Sequence, residues 1–288
     1  MRLTLGDWTL TPLETGYLWL DGGSMFGSVP KTMWRETNPP DEQNRIRLAM
    51  RCLLVQGHGR CVLIDDGIGD KFSPKFADIF RIEQEDCRLE SALARYDLSV
   101  DDVTDVVLTH LHFDHAGGST RRDGDRLVPR LPRARYAVQR RNWENALKPN
   151  PRERASYLPE NFVPLEEAGV VDLWDGPHTP WPGFELVLAD GHTRGQQLPR
   201  ISGPEGVAYF VADVIPTAAH VRIPFVMGYD MAAIETMAEK QSLLSRAVAE
   251  GAWICLEHDP TLAWARPCAR KDDFGWAETI PAEYCNVP

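Results

Sequence analysis

Apolar positions along the chain fall into two rhythms. Short runs with period-two spacing or continuous apolarity predict strands. These are residues 2 to 20 (one or two strands, broken around Pro12), Leu48 to Gln56, Arg60 to Asp65, Tyr136 to Val138, Phe184 to Ala189, Val207 to Ala212 and Ala252 to Leu256. Gly57-His58-Gly59 between the second and third marks a hairpin. Helical spacing recurs at Cys87 to Tyr96 through Leu89, Leu93 and Ala94, and at Arg140 to Leu147. It recurs again at Ala232 to Glu250, where Ile234, Met237, Gln241, Leu244 and Val248 share a face. Leu98 to Val103 restarts a helix with Ser99 as N-cap and Asp102 at the capping-box position. The expected class is a mixed α/β (α+β) fold.

Two stretches interrupt these rhythms. Residues 21–47 open with the glycine-rich loop Asp21 to Lys31, in which Phe26 and nearby Trp34 either face a pocket or only anchor the loop. Residues 148–182, rich in Pro, Glu and Trp, take no assignment; they are a surface connection or an insertion forming a pocket wall. With no repeat, low-complexity tract or long linker, one domain over residues 1–288 is the simpler organisation.

Charge and composition narrow the partners. There are 31 basic and 42 acidic residues, a formal charge of -11, which argues against a nucleic-acid backbone as partner. No window is long and apolar enough to span a membrane, and Met1 to Trp8 lacks the apolar core of a signal peptide. The six cysteines are scattered without a C-x-x-C pair, which suggests reduced thiols and a cytoplasmic location. A small-molecule substrate is expected, and a homodimer is compatible with the composition.

The chemistry concentrates after one buried-strand pattern, Val106-Val107-Leu108. Three of the chain's eight histidines, His110, His112 and His115, follow within six residues, interleaved with Asp114. Alternate residues of an extended segment face one way, so His110 and His112 can converge on one ion. Ala116-Gly117-Gly118 gives the backbone freedom to turn Asp114 and His115 in. Imidazole and carboxylate together suit zinc and neighbouring divalent metals.

The run His110-Leu111-His112-Phe113-Asp114-His115 resembles the HxHxDH signature of the metallo-β-lactamase-fold hydrolases. The resemblance implies a four-layer αββα sandwich and a two-metal site, and it extends over about residues 48 to 260. Asp190-Gly191-His192-Thr193 matches the family's Gly-His-Thr turn, with Arg194 and Gln196 departing where proline and a second histidine are frequent. Asp213, after an apolar strand, matches the bridging carboxylate, and His258 the final histidine. By that pattern His110, His112 and His192 bind one ion, Asp114, His115 and His258 the other, and Asp213 bridges them. Asp65 matches the aspartate that supports the ligands from behind; read alone, it is a turn residue beside glycine. Two divalent ions are implied, zinc first, with Mn, Fe or Co as alternatives.

The implied reaction is attack by a metal-bridging hydroxide on an ester or lactone, with Asp114 as proton shuttle. The motifs look most like the quorum-quenching lactonase and phosphotriesterase-like branch, which includes enzymes acting on N-acyl homoserine lactones. A tyrosine frequent three residues past the bridging aspartate is Pro216 here. His220 or Tyr229 either replaces it or simply packs its loop, and Phe26, Trp34, Phe225 and Tyr229 suggest an apolar pocket. The alternatives are a thioesterase of glyoxalase II type, a phosphotriesterase and, of another reaction class, a mononuclear iron persulfide dioxygenase.

Overall fold

The computed structural model describes residues 1–84 and 87–283. Its first sheet takes β1 (Leu3–Leu5), β2 (Trp8–Asp21), β3 (Arg45–Gly57), β4 (Arg60–Ile64) and β5 (Asp105–Val107). A separate ribbon, β6 (Thr120–Asp123) and β7 (Arg126–Pro129), follows before β8 (Arg135–Gln139) and β9 (Val171–Trp174) complete that sheet in the order β1-β2-β3-β4-β5-β8-β9. The second sheet runs in chain order: β10 (His178–Trp181), β11 (Phe184–Ala189), β12 (Gln196–Gly203), β13 (Gly206–Phe210), β14 (Trp253–Cys255), β15 (Leu262–Ala269) and β16 (Phe274–Pro281). The α-helices are α1 (Gly22–Phe26), α2 (Lys31–Trp34), α3 (Pro74–Ile79), α4 (Leu89–Ala94), α5 (Phe113–Ala116), α6 (Arg140–Leu147), α7 (Val163–Glu167) and α8 (Ala233–Ala249).

Alternation along the strands builds the layers. In β3 and β4, Leu53, Val55, Val62 and Ile64 enter a core shared with Leu186, Ile201, Phe210 and Ile254 of the other sheet. Their neighbours Cys52, Leu54, Cys61 and Leu63 enter a second core with Leu93 of α4, Trp143 of α6 and Leu165 of α7. A strand buried on both faces needs apolar side chains at every position, which is why these segments read as continuous runs. On the far side α8 packs Leu243, Leu244 and Ala247 onto the second sheet. This is the αββα sandwich.

Parallel strands put their carboxyl ends on one edge. The pairs β4–β5, β5–β8 and β13–β14 are parallel. Asp65, the His110 segment, Asp213 and His258 all follow the ends of these strands, where open α/β sheets place ligand sites.

Several expectations need correction. Pro12 does not break β2, because it lies past the end of β1, where one side of β2 has no neighbouring strand over that stretch. Residues 98–103 form turns rather than a helix, with the Ser99 backbone and hydroxyl both donating to Asp102 (2.8 Å each). Helix α8 buries Thr236, Lys240, Leu243, Leu244 and Ala247, while Ile234 is 81% exposed and Gln241 is exposed. Leu244 and Val248 of the expected face do pack on the core, but the face is rotated away from Ile234 and Gln241 because a charged side chain, Lys240, points inward. Segment 148–182 holds α7, β9 and β10. Strands β12, β15 and β16 were not anticipated. Cys52, Cys61, Cys255 and Cys268 are free, but Cys87 is disulfide-bonded, so reduced thiols throughout does not hold; Cys285 lies outside the described residues.

Candidate metal centre

Leu108 to His112 leaves β5, bends at Thr109 and ends at α5, whose single turn carries Asp114 and His115. Gly117 and Gly118 are required by space and not by backbone angle. Gly117 has φ -67°, and a Cβ at either residue would run into the Ile68 or Asp66 carbonyl oxygen. That close approach, with Asp66 N–H donating to His115 O (2.9 Å) and Gly118 N–H to Gly67 O (2.8 Å), locks the histidine turn against the end of β4.

Three loops complete the cluster. His110, His112, His192 and Asp213 have donor atoms within 4.8 Å of one another, as do Asp114, His115 and His258. His192 Nε2 and His110 Nε2 lie 3.2 and 3.0 Å from His112 Nδ1. Asp213 stands between the groups: its Oδ2 is 3.0 Å from His192 Nε2, 3.8 Å from His110 Nε2 and 3.6 Å from His115 Nε2. Its Oδ1 is 3.1 Å from His258 Nε2. Asp114 faces the second group at 3.9 Å from both His115 and His258. All seven are buried.

The far sides of the His115, His192 and His258 rings are held. Asp65 takes Thr109 N–H and Oγ1–H (2.7 Å each) and lies 3.1 Å from His115 Nδ1. Glu257 approaches the same nitrogen at 3.1 Å. His192 Nδ1–H donates to Asp230 (2.9 Å), and His258 Nδ1–H to Ala49 O (2.8 Å). Buried Arg51 fastens the His258 loop through Glu14 and the carbonyls of Leu256, Asp259 (2.9 Å) and Leu262 (3.0 Å). Such outer contacts orient imidazole ligands and fix their tautomers.

The donor set fits divalent cations. Ring nitrogens of His110, His112 and His192 converge beside the Asp213 carboxylate, a donor set that positive charge between them satisfies. Burial and the neighbouring histidines hold His110 and His112 well below the usual imidazole range. Burial also opposes charge on His192 and His258, but Asp213 outweighs it and pushes them to about 10 and about 9. Those protons occupy positions that cations would take. Burial and the adjacent Asp65 charge raise Glu257 to about 8, against the pull of His115.

The cluster opens into a cavity of about 200 Å³. Leu20, Met25, Leu48, Phe80, Phe113, Met227 and Met231 give it an apolar wall, and Asp114, Arg152, Glu153 and Tyr229 give polar points. Tyr229 lines it, while Phe26 and His220 do not. Phe26 is wholly buried between Trp34 (5.1 Å) and His220 (4.5 Å), beneath the loop it anchors. His220 donates from Nε2 to Met25 O (2.8 Å) and accepts from Thr217 at Nδ1 (2.8 Å). Burial lowers it to about 3, so it stays neutral.

Of the two readings of residues 148–182, the pocket wall is the one the structure matches: Arg152, Glu153, Ala155 and Ser156 reach the cavity. Behind it, Thr193 Oγ1–H donates to Glu153 (2.5 Å), and Tyr157 bonds Thr193 (2.7 Å) while its ring packs on His112 (4.7 Å). Of the contributors without a motif, Glu257, next to His258, was the one readable from position alone.

The family model of the metallo-beta-lactamase superfamily matches residues 49–258. The chain belongs to that superfamily. An N-acyl homoserine lactonase, AttM, of Azorhizobium caulinodans is 29% identical over 172 residues, 57% of this chain and 60% of that protein. The N-acyl homoserine lactonase AiiA of Bacillus thuringiensis subsp. kurstaki is 26% identical over 162 residues, 53% and 58%. The chain thus spans about three-fifths of the length of these curated relatives. A probable metal-dependent hydrolase from Staphylococcus aureus superposes with a TM-score of 0.90 at 28% identity, covering 98% of this chain and 100% of that one. The dizinc quorum-quenching lactonase AidC shares the fold, with a TM-score of 0.78 at 21% identity over 99% and 98%. Among the described residues no helix is long and apolar enough to cross a membrane.

Proposed function

We propose that the chain is a binuclear metal-dependent hydrolase that opens an ester or lactone bond, with N-acyl homoserine lactones as the favoured substrate class. The position of Asp213 carries this reading: one carboxylate, split between a three-histidine group and a second group of Asp114, His115 and His258, suits two ions better than one. In the proposed assignment His110, His112 and His192 hold one ion, Asp114, His115 and His258 the other, and Asp213 both. Two divalent ions, zinc first, would supply water activated at neutral pH and Lewis acidity toward a carbonyl.

The chain's own groups do the rest. Asp114, buried at the cavity floor, is placed to pass a proton to the leaving oxygen. Tyr229 lines the cavity and carries a phenol that is a hydroxyl donor at neutral pH, and in this reading it takes the place left by Pro216. The apolar wall from Leu20 to Met231 holds an acyl chain and excludes water from it. The lactonases among the relatives support this class. The cytoplasm remains the proposed compartment on the buried free thiols Cys52, Cys61 and Cys255, although the disulfide at Cys87 argues the other way. Alkylation of Cys87 in cells lysed directly into denaturant would refute a cytoplasmic disulfide, and resistance there would refute the compartment.

The test is proton release by zinc-loaded protein on N-hexanoyl homoserine lactone, a glutathione thioester and a phosphotriester. Lactone opening with kcat/KM on the order of 10⁴ M⁻¹s⁻¹ or above is expected. No lactone turnover, with two ions bound, sinks the lactone reading; no turnover of any of the three sinks the hydrolase.

A further inference from the structure

His192 reaches the centre from a loop, and its carboxylate partner Asp230 comes from another. Both loops are fastened to one helix by adjacent side chains. Glu239 of α8 accepts the Asp190 N–H at 2.6 Å and the Gly191 N–H at 3.1 Å. Lys240, wholly buried, donates to the carbonyls of His220 (3.0 Å), Arg222 (2.9 Å) and Phe225 (2.7 Å). Five residues on from Phe225, Asp230 accepts from His192 Nδ1 and from Met227 N–H (3.1 Å). The start of the helix closes the circuit, with Met231 N–H donating to His192 O (3.1 Å) and Ala232 N–H to Gly191 O (2.8 Å). Gly191 lies so tightly against Thr236 that a Cβ would not fit.

We infer that Glu239 and Lys240 are positioning residues, a two-sided clamp through which α8 sets His192 Nε2 on the metal pair. The inference rests on the metal assignment proposed above. A buried ammonium is costly unless its donors are satisfied. Here three carbonyls of one turn satisfy it, so the 220–225 segment has one strongly preferred seat. The carboxylate does the same for the turn before His192. Neither side chain lines the cavity, so each acts through the loop it holds. The general expectation for contacts of this kind is a 10- to 100-fold change in metal affinity.

The experiment measures zinc affinity by competition with a chromophoric chelator for the parent, Glu239→Gln, Glu239→Ala and Lys240→Met. Exposed Glu235→Gln on the same helix is the control. One of the two sites should weaken about 10-fold or more in Glu239→Ala and Lys240→Met, with the other site and the control within about threefold of the parent. Hydrogen exchange at Gly191 should quicken while Leu243 and Leu244 keep their protection, a pattern that general destabilisation of α8 does not give. If the alanine variant fails to fold, Glu239→Gln must still show a loss of about threefold or more. Folded variants with both affinities within twofold of the parent, or with lowered melting and no affinity change, overturn the clamp. A parent that binds no zinc overturns the metal assignment instead.

Discussion

Asp65→Asn isolates the carboxylate behind the histidine turn. In the parent one oxygen takes the Thr109 N–H, and the other takes the Thr109 hydroxyl and faces His115 Nδ1. An amide has one acceptor. With its oxygen kept on the Thr109 N–H, its NH₂ meets the His115 Nδ1–H, donor against donor. The His115 bond is lost, and Glu257 at 3.1 Å compensates only in part. A charge-assisted bond of this type is worth about 1.5–3 kcal/mol, which corresponds to roughly 10- to 100-fold in affinity for the ion His115 would hold. Chelator competition reads that directly, with a melt on metal-free protein beside it. Glu257→Gln, which leaves Asp65 in place, should lose less. Asp65→Asn binding zinc as tightly as the parent would refute the reasoning.

Three further outcomes follow from the same geometry. Gly118→Ala drives a Cβ into the Asp66 carbonyl, which is backbone and cannot step aside; overpacking costs about 1–3 kcal/mol, and a differential-scanning melt lowered by several degrees is expected. Burial lowers the Lys71 ammonium, which donates to Gly117 O and Thr120 O, to about 8. Its folded pKa is below its unfolded value, so between pH 8 and about 10.5 the folded state has shed a proton that the unfolded state keeps. Stability of the parent relative to Lys71→Met should therefore rise across that window; a flat difference in chemical denaturation contradicts the shift. Stripping metal with a chelator should lower the melting temperature, because ions bound at 1,000 times their Kd add about 4 kcal/mol; an unchanged melt would mean the cluster binds none.

The sequence carried the centre further than it carried the frame. His110 to His115 stands out because four candidate ligands crowd six positions, and period two orients the first pair. His192, Asp213 and His258 were legible only as strand-end residues in a known order, since their convergence is set by the stacking of two sheets. Strands β15 and β16 were missed because β15 interleaves Arg266 and Pro267 with its apolar positions and β16 is largely exposed. The inward face of α8 was read only in part, at Leu244 and Val248, because Lys240 finds three carbonyls that no local pattern announces. For Phe26 and His220 the loop sequence leaves pocket and packing roles open, and side-chain stacking and the Met25 carbonyl make them supports beneath the pocket.

A two-ion centre divided by Asp213 fixes the metal content of the protein, which elemental analysis of the parent and Asp213→Asn reads. Two zinc-class ions per chain in the parent, falling to one or fewer in the variant, is the predicted result. A single iron per chain in the parent, or two ions retained without the carboxylate, would contradict it.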